Sequence, residues 1–174
     1  MNYKSNNMKN VVAYLASPFG FTDAGQEFMK QKFSPMLKNL GLVILNPWDS
    51  LESTSTEIKK ILTIENYDER ISHFKSFNMK IAKGNEEMIN KSDIVIAVLD
   101  GTDVDSGVSA EIGFAYANGK KIIGYRGDFR VTGDNVGAAV NLQVEYFISQ
   151  SGGTLVTSLE DLENIVKKIQ NDYN

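Results

Sequence analysis

The segment that decides the fold is Ile94-Val-Ile-Ala-Val-Leu-Asp-Gly-Thr-Asp-Val-Asp-Ser-Gly-Val-Ser-Ala-Glu-Ile-Gly-Phe-Ala-Tyr-Ala-Asn-Gly119. Its apolar beginning, residues 94–99, predicts a buried strand. After Ser106 the apolar residues recur at helical spacing, and Asn118-Gly119 is a typical helix end. Several carboxylates therefore lie where a strand is followed by a helix. Open parallel sheets place their functional sites at this edge.

Further strands and helices flank this segment on both sides. Short apolar runs predict four more strands, at residues 11–16, 42–45, 121–125 and 154–156. Helices are predicted from about Asp23 to Leu40, near 76–91, over 138–149 and from Ser158 onward. Strands that alternate with helices favour a parallel sheet covered on both faces. The sequence predicts a single α/β domain over residues 1–174 with a doubly wound, five-stranded parallel sheet.

Local signals refine this outline. Asp23 is a plausible N-cap for the first helix, and Pro35 is expected to kink or divide it. Residues 50–75 are polar and mixed, which indicates a long insertion with one or two helices. Residues 127–137 have the composition of a loop, and residues 1–9 are expected to form a flexible tail.

Composition narrows the classes of function. The net charge is −4 and the sequence has no cysteine, which argues against a nucleic-acid partner, disulfides and thiolate chemistry. His73 stands alone and cannot form a multi-histidine metal site, so no metal is expected. No apolar run is long enough to span a membrane, and the polar N-terminus lacks the pattern of a signal peptide. A soluble cytoplasmic protein without membrane contact is expected.

Glu111 is the first candidate for chemistry. It is expected about one turn inside its helix, where the helix dipole favours an ionised carboxylate by ~0.3–1 kcal/mol. Small neighbours leave room around it, and an ionised, partly desolvated carboxylate can attack an electrophilic carbon. The alternative is a solvated glutamate that only satisfies the dipole.

Asp105 precedes Glu111 by six residues and also has two interpretations. It is either a helix N-cap or a second carboxylate facing the same cavity, placed to bind or protonate a leaving group. Two carboxylates in unequal environments can divide the roles of nucleophile and acid. Asp100 and Asp103 are interpreted as strand-end and loop residues.

Three residues outside the segment are further candidates. Asn85 lies on an apolar helix stripe, so its amide either bonds to backbone or reaches into a cavity. Phe19, in Ser17-Pro-Phe-Gly20, either stacks on a flat ring or belongs to the core. Tyr14 reaches Glu111 if the first and third strands are neighbours. The loop after the first strand lacks the glycine spacing of a dinucleotide or phosphate cradle, and no cofactor is expected.

Together these residues resemble the nucleoside 2-deoxyribosyltransferase family. The resemblance covers most of the chain and rests on an Asp-x-Gly-x-x-x-Glu pattern with flanking matches. The matching segments are Tyr14-Leu-Ala-Ser-Pro-Phe19, Asn85, Ser92-Asp-Ile-Val-Ile-Ala97, Asp105-Ser-Gly-Val-Ser-Ala-Glu-Ile-Gly113, Gly119-Lys-Lys-Ile-Ile123 and Val140-Asn-Leu142.

The resemblance implies a flavodoxin-like sheet and an enzyme of nucleotide salvage that exchanges the base of 2′-deoxyribonucleosides. Glu111 would be the nucleophile that forms a covalent deoxyribosyl-enzyme, Asp105 would contact the sugar or assist the leaving base, and Tyr14 would hold the glutamate. The expected substrate-binding residues are Phe19, Asn85, Ser106, Gly107 and Asn141. Asn141 would enter a neighbouring subunit's site, which implies a homo-oligomer with small-molecule substrates, nucleosides and free bases.

Two positions bear on the choice of substrate. Some family members carry aspartate in place of Asn85, and an amide cannot donate a carboxyl proton, so proton delivery would pass to Asp105 or water. A sister group that hydrolyses deoxynucleoside monophosphates has a phosphate-binding serine at the place of Asp105. A carboxylate there repels a 5′-phosphate, which favours nucleosides. The alternatives are an N-glycoside hydrolase of nucleosides or 5′-monophosphates and a non-catalytic nucleotide-binding sensor.

Overall fold

A five-stranded parallel sheet forms the centre of the computed structural model, which describes residues 10–173. Its strands pair in the order β2-β1-β3-β4-β5. They are β1 Val12–Ala16, β2 Val43–Leu45, β3 Ile94–Val98, β4 Lys121–Tyr125 and β5 Thr154–Val156. All pairs are parallel, and the order changes direction beside β1, so β1 and β3 are neighbours. This confirms the predicted doubly wound α/β fold.

Seven α-helices surround the sheet in the described part of the chain. They are α1 Asp23–Phe28, α2 Ser34–Asn39, α3 Leu51–Leu62, α4 Tyr67–Lys91, α5 Ser106–Ala117, α6 Leu142–Gln150 and α7 Leu159–Tyr173. Two 3-10 turns, Pro18–Phe21 and Pro47–Ser50, follow β1 and β2. Within residues 10–173, no helix combines the length and the apolar character needed to span a membrane.

The strands bury side chains on both faces, which explains their continuous apolar runs. Along β3, Ile94, Ile96 and Val98 pack toward α2 and α7, whereas Val95 and Ala97 pack toward α4, α5 and α6. Tyr14 of β1 pairs in register with Val95 and belongs to the second cluster. The pleat therefore points the Tyr14 side chain toward the helix that carries Glu111.

The first predicted helix is divided, as Pro35 indicated. A π-helical turn, Met29–Phe33, separates α1 from α2, and the Ser34 N–H donates to the Met29 carbonyl. Proline has no N–H and its ring crowds the preceding turn, so the wider turn accommodates it. The N-cap is Thr22 rather than Asp23, because the Thr22 hydroxyl accepts from Gly25 N.

Two other helix boundaries differ from the predictions. The helix expected near 76–91 begins at Tyr67, where the Asn66 side chain caps it through Glu69 N. The prediction of a helix over 138–149 was wrong at its start, since α6 begins at Leu142 behind the cap Asn141. Capping side chains, more than apolar spacing, fix both starts. The predicted tail, residues 1–9, lies outside the described residues.

Candidate active site

A cavity with a volume of about 790 Å³ opens at the carboxyl end of the sheet, between α3, α4 and the start of α5. Four of the predicted site residues, Asn85, Asp105, Gly107 and Glu111, lie in its wall. The other lining residues are Ser17, Phe21, Pro47, Trp48, Ser50, Leu51, Ser53, Thr54, Ser55, Glu57, Ile58, Phe77, Lys80, Ile81, Gly84, Met88 and Val108. The cavity therefore lies at the edge where parallel sheets place ligands.

Two hydrogen-bond donors meet one oxygen of Glu111. The Tyr14 hydroxyl donates to Oε1 at 2.6 Å, and Asn85 Nδ2 donates to the same oxygen at 3.3 Å. Tyr14 is completely buried, so its hydroxyl is fixed by packing. Among residues 10–173, no hydrogen bond engages Oε2 of Glu111. The carboxyl group is thus oriented through one oxygen, and its other oxygen is available to a ligand.

The Glu111 carboxyl is less acidic than the helix-dipole argument predicted. Burial raises its pKa most and the Asp105 charge also raises it, whereas the Tyr14 and Asn85 hydrogen bonds lower it, and together these effects place the pKa at about 7. Glu111 is in the second turn of α5, where the dipole has largely faded, and desolvation dominates. Burial also raises the pKa of Tyr14, with additional contributions from the Glu111 charge and hydrogen bond. Tyr14 therefore acts as a neutral donor.

Asp105 is both the predicted N-cap and a carboxylate in the cavity wall. Its Oδ1 accepts from Val108 N at 3.0 Å, which makes it the N-cap of α5, and it also lines the cavity beside Glu111. Asp103 Oδ1 accepts from Val104 N at 2.8 Å, and Asp100 Oδ1 accepts from Gly127 N at 2.6 Å. Asp100 and Asp103 have backbone partners and are not among the residues lining the cavity.

Three predicted substrate-binding residues lie elsewhere. Phe19 packs on the core beneath β1 and meets Phe28 edge to face at 5.6 Å, as its core interpretation expected. Ser106 is exposed at the start of α5 and does not line the cavity. Asn141 is exposed and caps α6 through Gln143 N and Val144 N. Within one chain, the cavity gathers only part of the predicted set.

An aromatic wall was missed at the sequence level. Phe21 and Trp48 line the cavity, with their rings edge to face at 4.7 Å, and Trp48 Nε1 donates to the Ser17 carbonyl at 2.8 Å. Trp48 follows the second predicted strand at the same sheet edge as Glu111, which is the signal that could have found it. The α3 side of the wall comes from the insertion predicted at residues 50–75, whereas the α4 side comes from the helix predicted near 76–91.

No group of three or more potential metal-ligating side chains occurs in the described range 10–173. The family model for nucleoside 2-deoxyribosyltransferase matches residues 13–144, more than half of the chain. The chain belongs to the nucleoside 2-deoxyribosyltransferase family. The matched range contains Tyr14, Asn85, Asp105 and Glu111. None of the curated proteins compared with the chain matches it.

Solved structures share the fold of this family member. A 2-deoxyribosyltransferase from Bacillus psychrosaccharolyticus is 21% identical, with a TM-score of 0.61 over 88% of this chain and 91% of that one. A 2-desoxiribosyltransferase from Leishmania mexicana is 21% identical, with a TM-score of 0.60 over 90% and 97%. The CMP N-glycosidase BcmB from Clostridium botulinum is 17% identical, with a TM-score of 0.51 over 92% and 98%. Family and fold together support an enzyme acting on N-glycosidic bonds.

Proposed function

We propose that this protein exchanges the base of 2′-deoxyribonucleosides through a covalent deoxyribosyl intermediate on Glu111. The observation that carries the proposal is the oriented Glu111 carboxyl, held by Tyr14 and Asn85 through one oxygen at the cavity wall. A nucleophilic carboxylate needs one free oxygen and a fixed approach direction, and the hydrogen bonds to Oε1 leave Oε2 for this role.

In the first half-reaction, Oε2 of Glu111 bonds to C1′ of the sugar while the bond from C1′ to the base nitrogen breaks. The base leaves with the electron pair and takes a proton delivered by Asp105 or water. The transition state has oxocarbenium character, which the Glu111 carboxylate stabilises. A nitrogen of a second base then bonds to C1′ from the vacated side and gives up its proton to Asp105 or water, while the bond from C1′ to Oε2 breaks and the Glu111 carboxylate is released.

The cavity wall supports a flat, partly apolar ligand. Phe21 and Trp48 form one side, and Leu51, Ile58 and Phe77 contribute apolar surface from α3 and α4. A nucleobase has two apolar faces that such side chains cover, which also keeps water from the intermediate. Limited water access favours transfer to a second base over hydrolysis.

Hydrolysis of nucleosides or 5′-monophosphates is the second candidate, favoured by the shared fold of the CMP N-glycosidase. The Asp105 carboxyl opposes a 5′-phosphate if its place corresponds to the phosphate-binding serine of the sister group. We therefore favour nucleosides as substrates. A non-catalytic sensor is the third candidate, and tight nucleoside binding without turnover would identify it.

The decisive experiment is a base-exchange assay with deoxyinosine and free adenine, with product separation by chromatography. Deoxyadenosine is expected, and a reaction without acceptor base measures hydrolysis alone. Absence of exchange with every purine and pyrimidine donor pair would disprove the transferase. Glu111→Ala is expected to abolish exchange while the fold persists. Asp103→Asn is the matched control, since Asp103 lies off the cavity and, within residues 10–173, its side chain accepts from the backbone of Val104, and this variant is expected to remain active.

The same proposal extends to assembly and location. We propose a homo-oligomer in which Asn141 of one subunit completes the site of its neighbour, acting in cytoplasmic nucleotide salvage. The exposed position of Asn141 at the α6 cap, outside the cavity of its own chain, supports this assembly.

A further inference from the structure

Arg126, the residue after β4, is a buried cation whose contacts the proposed chemistry does not use. It is 2% exposed, and its guanidinium donates to the carbonyl oxygens of Leu99, Gly101 and Arg130 and to the Thr132 hydroxyl. Among residues 10–173, no carboxylate forms a salt bridge with it. Burying a charge without a salt bridge is costly, so the backbone acceptors must be held closely around it, and the Asp128 carboxylate contributes only a longer-range attraction.

The four acceptors come from two different loops. Leu99 and Gly101 belong to the loop after β3, residues 99–105, which ends at Asp105 and the start of α5. Arg130 and Thr132 belong to the loop after β4, residues 126–141, which ends at Asn141. A single planar guanidinium therefore joins the two loops that carry polar candidates for the site.

A reciprocal contact runs in the opposite direction. Asp100 Oδ1 accepts from the backbone N–H groups of Gly127 and Asp128, at 2.6 Å and 3.0 Å. Each loop thus sends one charged side chain to the backbone of the other. Such charge-assisted hydrogen bonds are the stronger class in proteins, and two of opposite sense fix relative position better than one.

The loop after β4 is cross-linked beyond the point where Arg126 holds it. Thr132 N donates to the Ala139 carbonyl at 3.3 Å, and Leu142 N donates to Asp134 Oδ2 at 2.6 Å. A displacement at Thr132 therefore passes along the loop to the cap of α6. In the loop after β3, only four residues separate Gly101, whose carbonyl accepts from Arg126, from the start of α5.

We propose that Arg126 is a positioning residue, which holds the loop of Asp105 and the loop of Asn141 in fixed relative register. It does not touch substrate and acts through Asp105, Asn141 and the start of α5. The kinetic part of this inference rests on the proposed base-exchange function, whereas the register of the two loops is testable without any substrate.

The kinetic test uses Arg126→Ala in the full-length protein, with Arg130→Ala as the matched control. Arg130 lies in the same loop, but its side chain is exposed and pairs with Asp128. For Arg126→Ala, kcat is expected to fall about 10- to 100-fold while KM for deoxyinosine changes less than about threefold, because misplaced groups weaken transition-state contacts first. Guanidinium chloride near 10 mM is expected to restore part of kcat, and sodium chloride is not. Arg130→Ala is expected to match the wild type.

Two further measurements keep the inference falsifiable. Thr132→Val removes one acceptor with little change of shape and is expected to lower kcat about two- to fivefold. Hydrogen exchange of the amides of residues 127–133 is expected to quicken about tenfold in Arg126→Ala and to stay unchanged in Arg130→Ala. Unchanged exchange rates would overturn the inference, as would loss of activity that merely follows the unfolded fraction. If the wild type has no transferase activity, the proposed function fails and hydrogen exchange alone decides the loop register.

Discussion

At the scale of single residues, the protonation of Glu111 is set by competing forces. Burial and the Asp105 charge disfavour the carboxylate, and the hydrogen bonds from Tyr14 and Asn85 favour it. Burial dominates, so the pKa is about 7 and a substantial fraction of the carboxyl is protonated at neutral pH in the free protein. A protonated carboxyl cannot attack C1′. As the proposed nucleophile, Glu111 therefore changes its protonation state near neutral pH.

The first prediction concerns the pH dependence of exchange. For the wild type, kcat/KM is expected to fall as pH decreases through about 7, where Glu111 becomes protonated. Tyr14→Phe removes the 2.6 Å hydrogen bond that favours the carboxylate, so the pKa rises and the acid limb moves to higher pH. Initial rates between pH 5 and 9, measured for the wild type and for Tyr14→Phe, give the acid limb of each protein. An unshifted limb in Tyr14→Phe would contradict the assignment of this limb to Glu111.

The second prediction concerns stability. The folded-state pKa of about 7 exceeds the ordinary value of 4.5, so the folded protein binds more protons between these values. The stabilisation of the folded state by the Glu111 carboxyl is fully present below pH 4.5 and is lost as the pH rises through 7. Glu111→Gln lacks this titration. Its free energy of unfolding, relative to that of the wild type, is therefore expected to rise by about 1–3 kcal/mol from pH 5 to pH 8. Urea unfolding at both pH values measures the gain, and a pH-independent difference would refute it.

At the scale of structural elements, the 3-10 turns after β1 and β2 depend on each other. A Cβ at Gly20 would lie 1.9 Å from Trp48 Cδ2, so the indole rests directly on the glycine. A hydrogen bond from Trp48 Nε1 to the Ser17 carbonyl also holds the indole ring against the turn after β1. This contact positions the aromatic wall of the cavity.

The third prediction follows from that contact. Gly20→Ala is expected to cost about 1–3 kcal/mol of stability by overpacking and to reduce base exchange, because Trp48 must move. Gly84→Ala is the control, since Gly84 lies inside α4 with nothing within 4 Å of an added Cβ. It is expected to stabilise the protein by about 0.5–1 kcal/mol. Thermal unfolding of both variants tests the contrast, which similar melting temperatures would contradict.

The elements that the sequence predicted well are those whose signals are local. The five strands are short apolar runs, of which the three central ones are largely buried, and Gly41 and Gly119 end their helices with positive φ, at 88° and 69°. The start of α4 was missed because Asn66 caps it within a polar segment whose apolar spacing is weak. Capping decided that boundary, and hydrophobic periodicity does not report it.

The candidate site was predictable to the extent that its residues belong to one sheet edge. Glu111, Asp105 and Tyr14 follow from strand neighbours and helix phase. The sequence did not predict Trp48 as a site residue, because its place in the cavity wall depends on contacts with Ser17 and Gly20, more than 25 positions away in the chain. Such long-range packing has no periodic signature. The pKa of Glu111 was misjudged for the same reason, since burial depends on the complete fold.

At the scale of the whole molecule, the loop that leads to Asn141 is the feature that bears on assembly. The loop that leads to Asn141 exposes three large apolar side chains, with Phe129 at 95% and Val131 at 73% exposure and Val136 fully exposed. Internal hydrogen bonds give this loop a defined shape. Exposed apolar side chains on an ordered loop are typical of contact surfaces. This supports the proposed assembly, in which Asn141 serves a neighbouring chain.

The fourth prediction tests the shared site by complementation. Glu111→Gln lacks the proposed nucleophile and Asn141→Ala lacks the proposed contribution to a neighbouring site, so each variant alone is expected to be nearly inactive. Co-expressed in equal amounts, they are expected to form mixed oligomers in which an intact Glu111 meets an intact Asn141 if the proposed assembly holds. With random mixing, roughly a quarter of the sites combine an intact Glu111 from one chain with an intact Asn141 from its neighbour. Base exchange is therefore expected to rise to about that fraction of the wild-type activity.

The control for complementation is co-expression of Glu111→Gln with Tyr14→Phe. Tyr14 and Glu111 contact each other within one chain, so mixing cannot repair either site. Activity is therefore expected to stay at the mean of the two separate variants. An equal lack of gain in the Asn141→Ala mixture would show that Asn141 does not act across subunits. Because both mixtures contain the same Glu111→Gln chain, the difference between them isolates the contribution that crosses the interface.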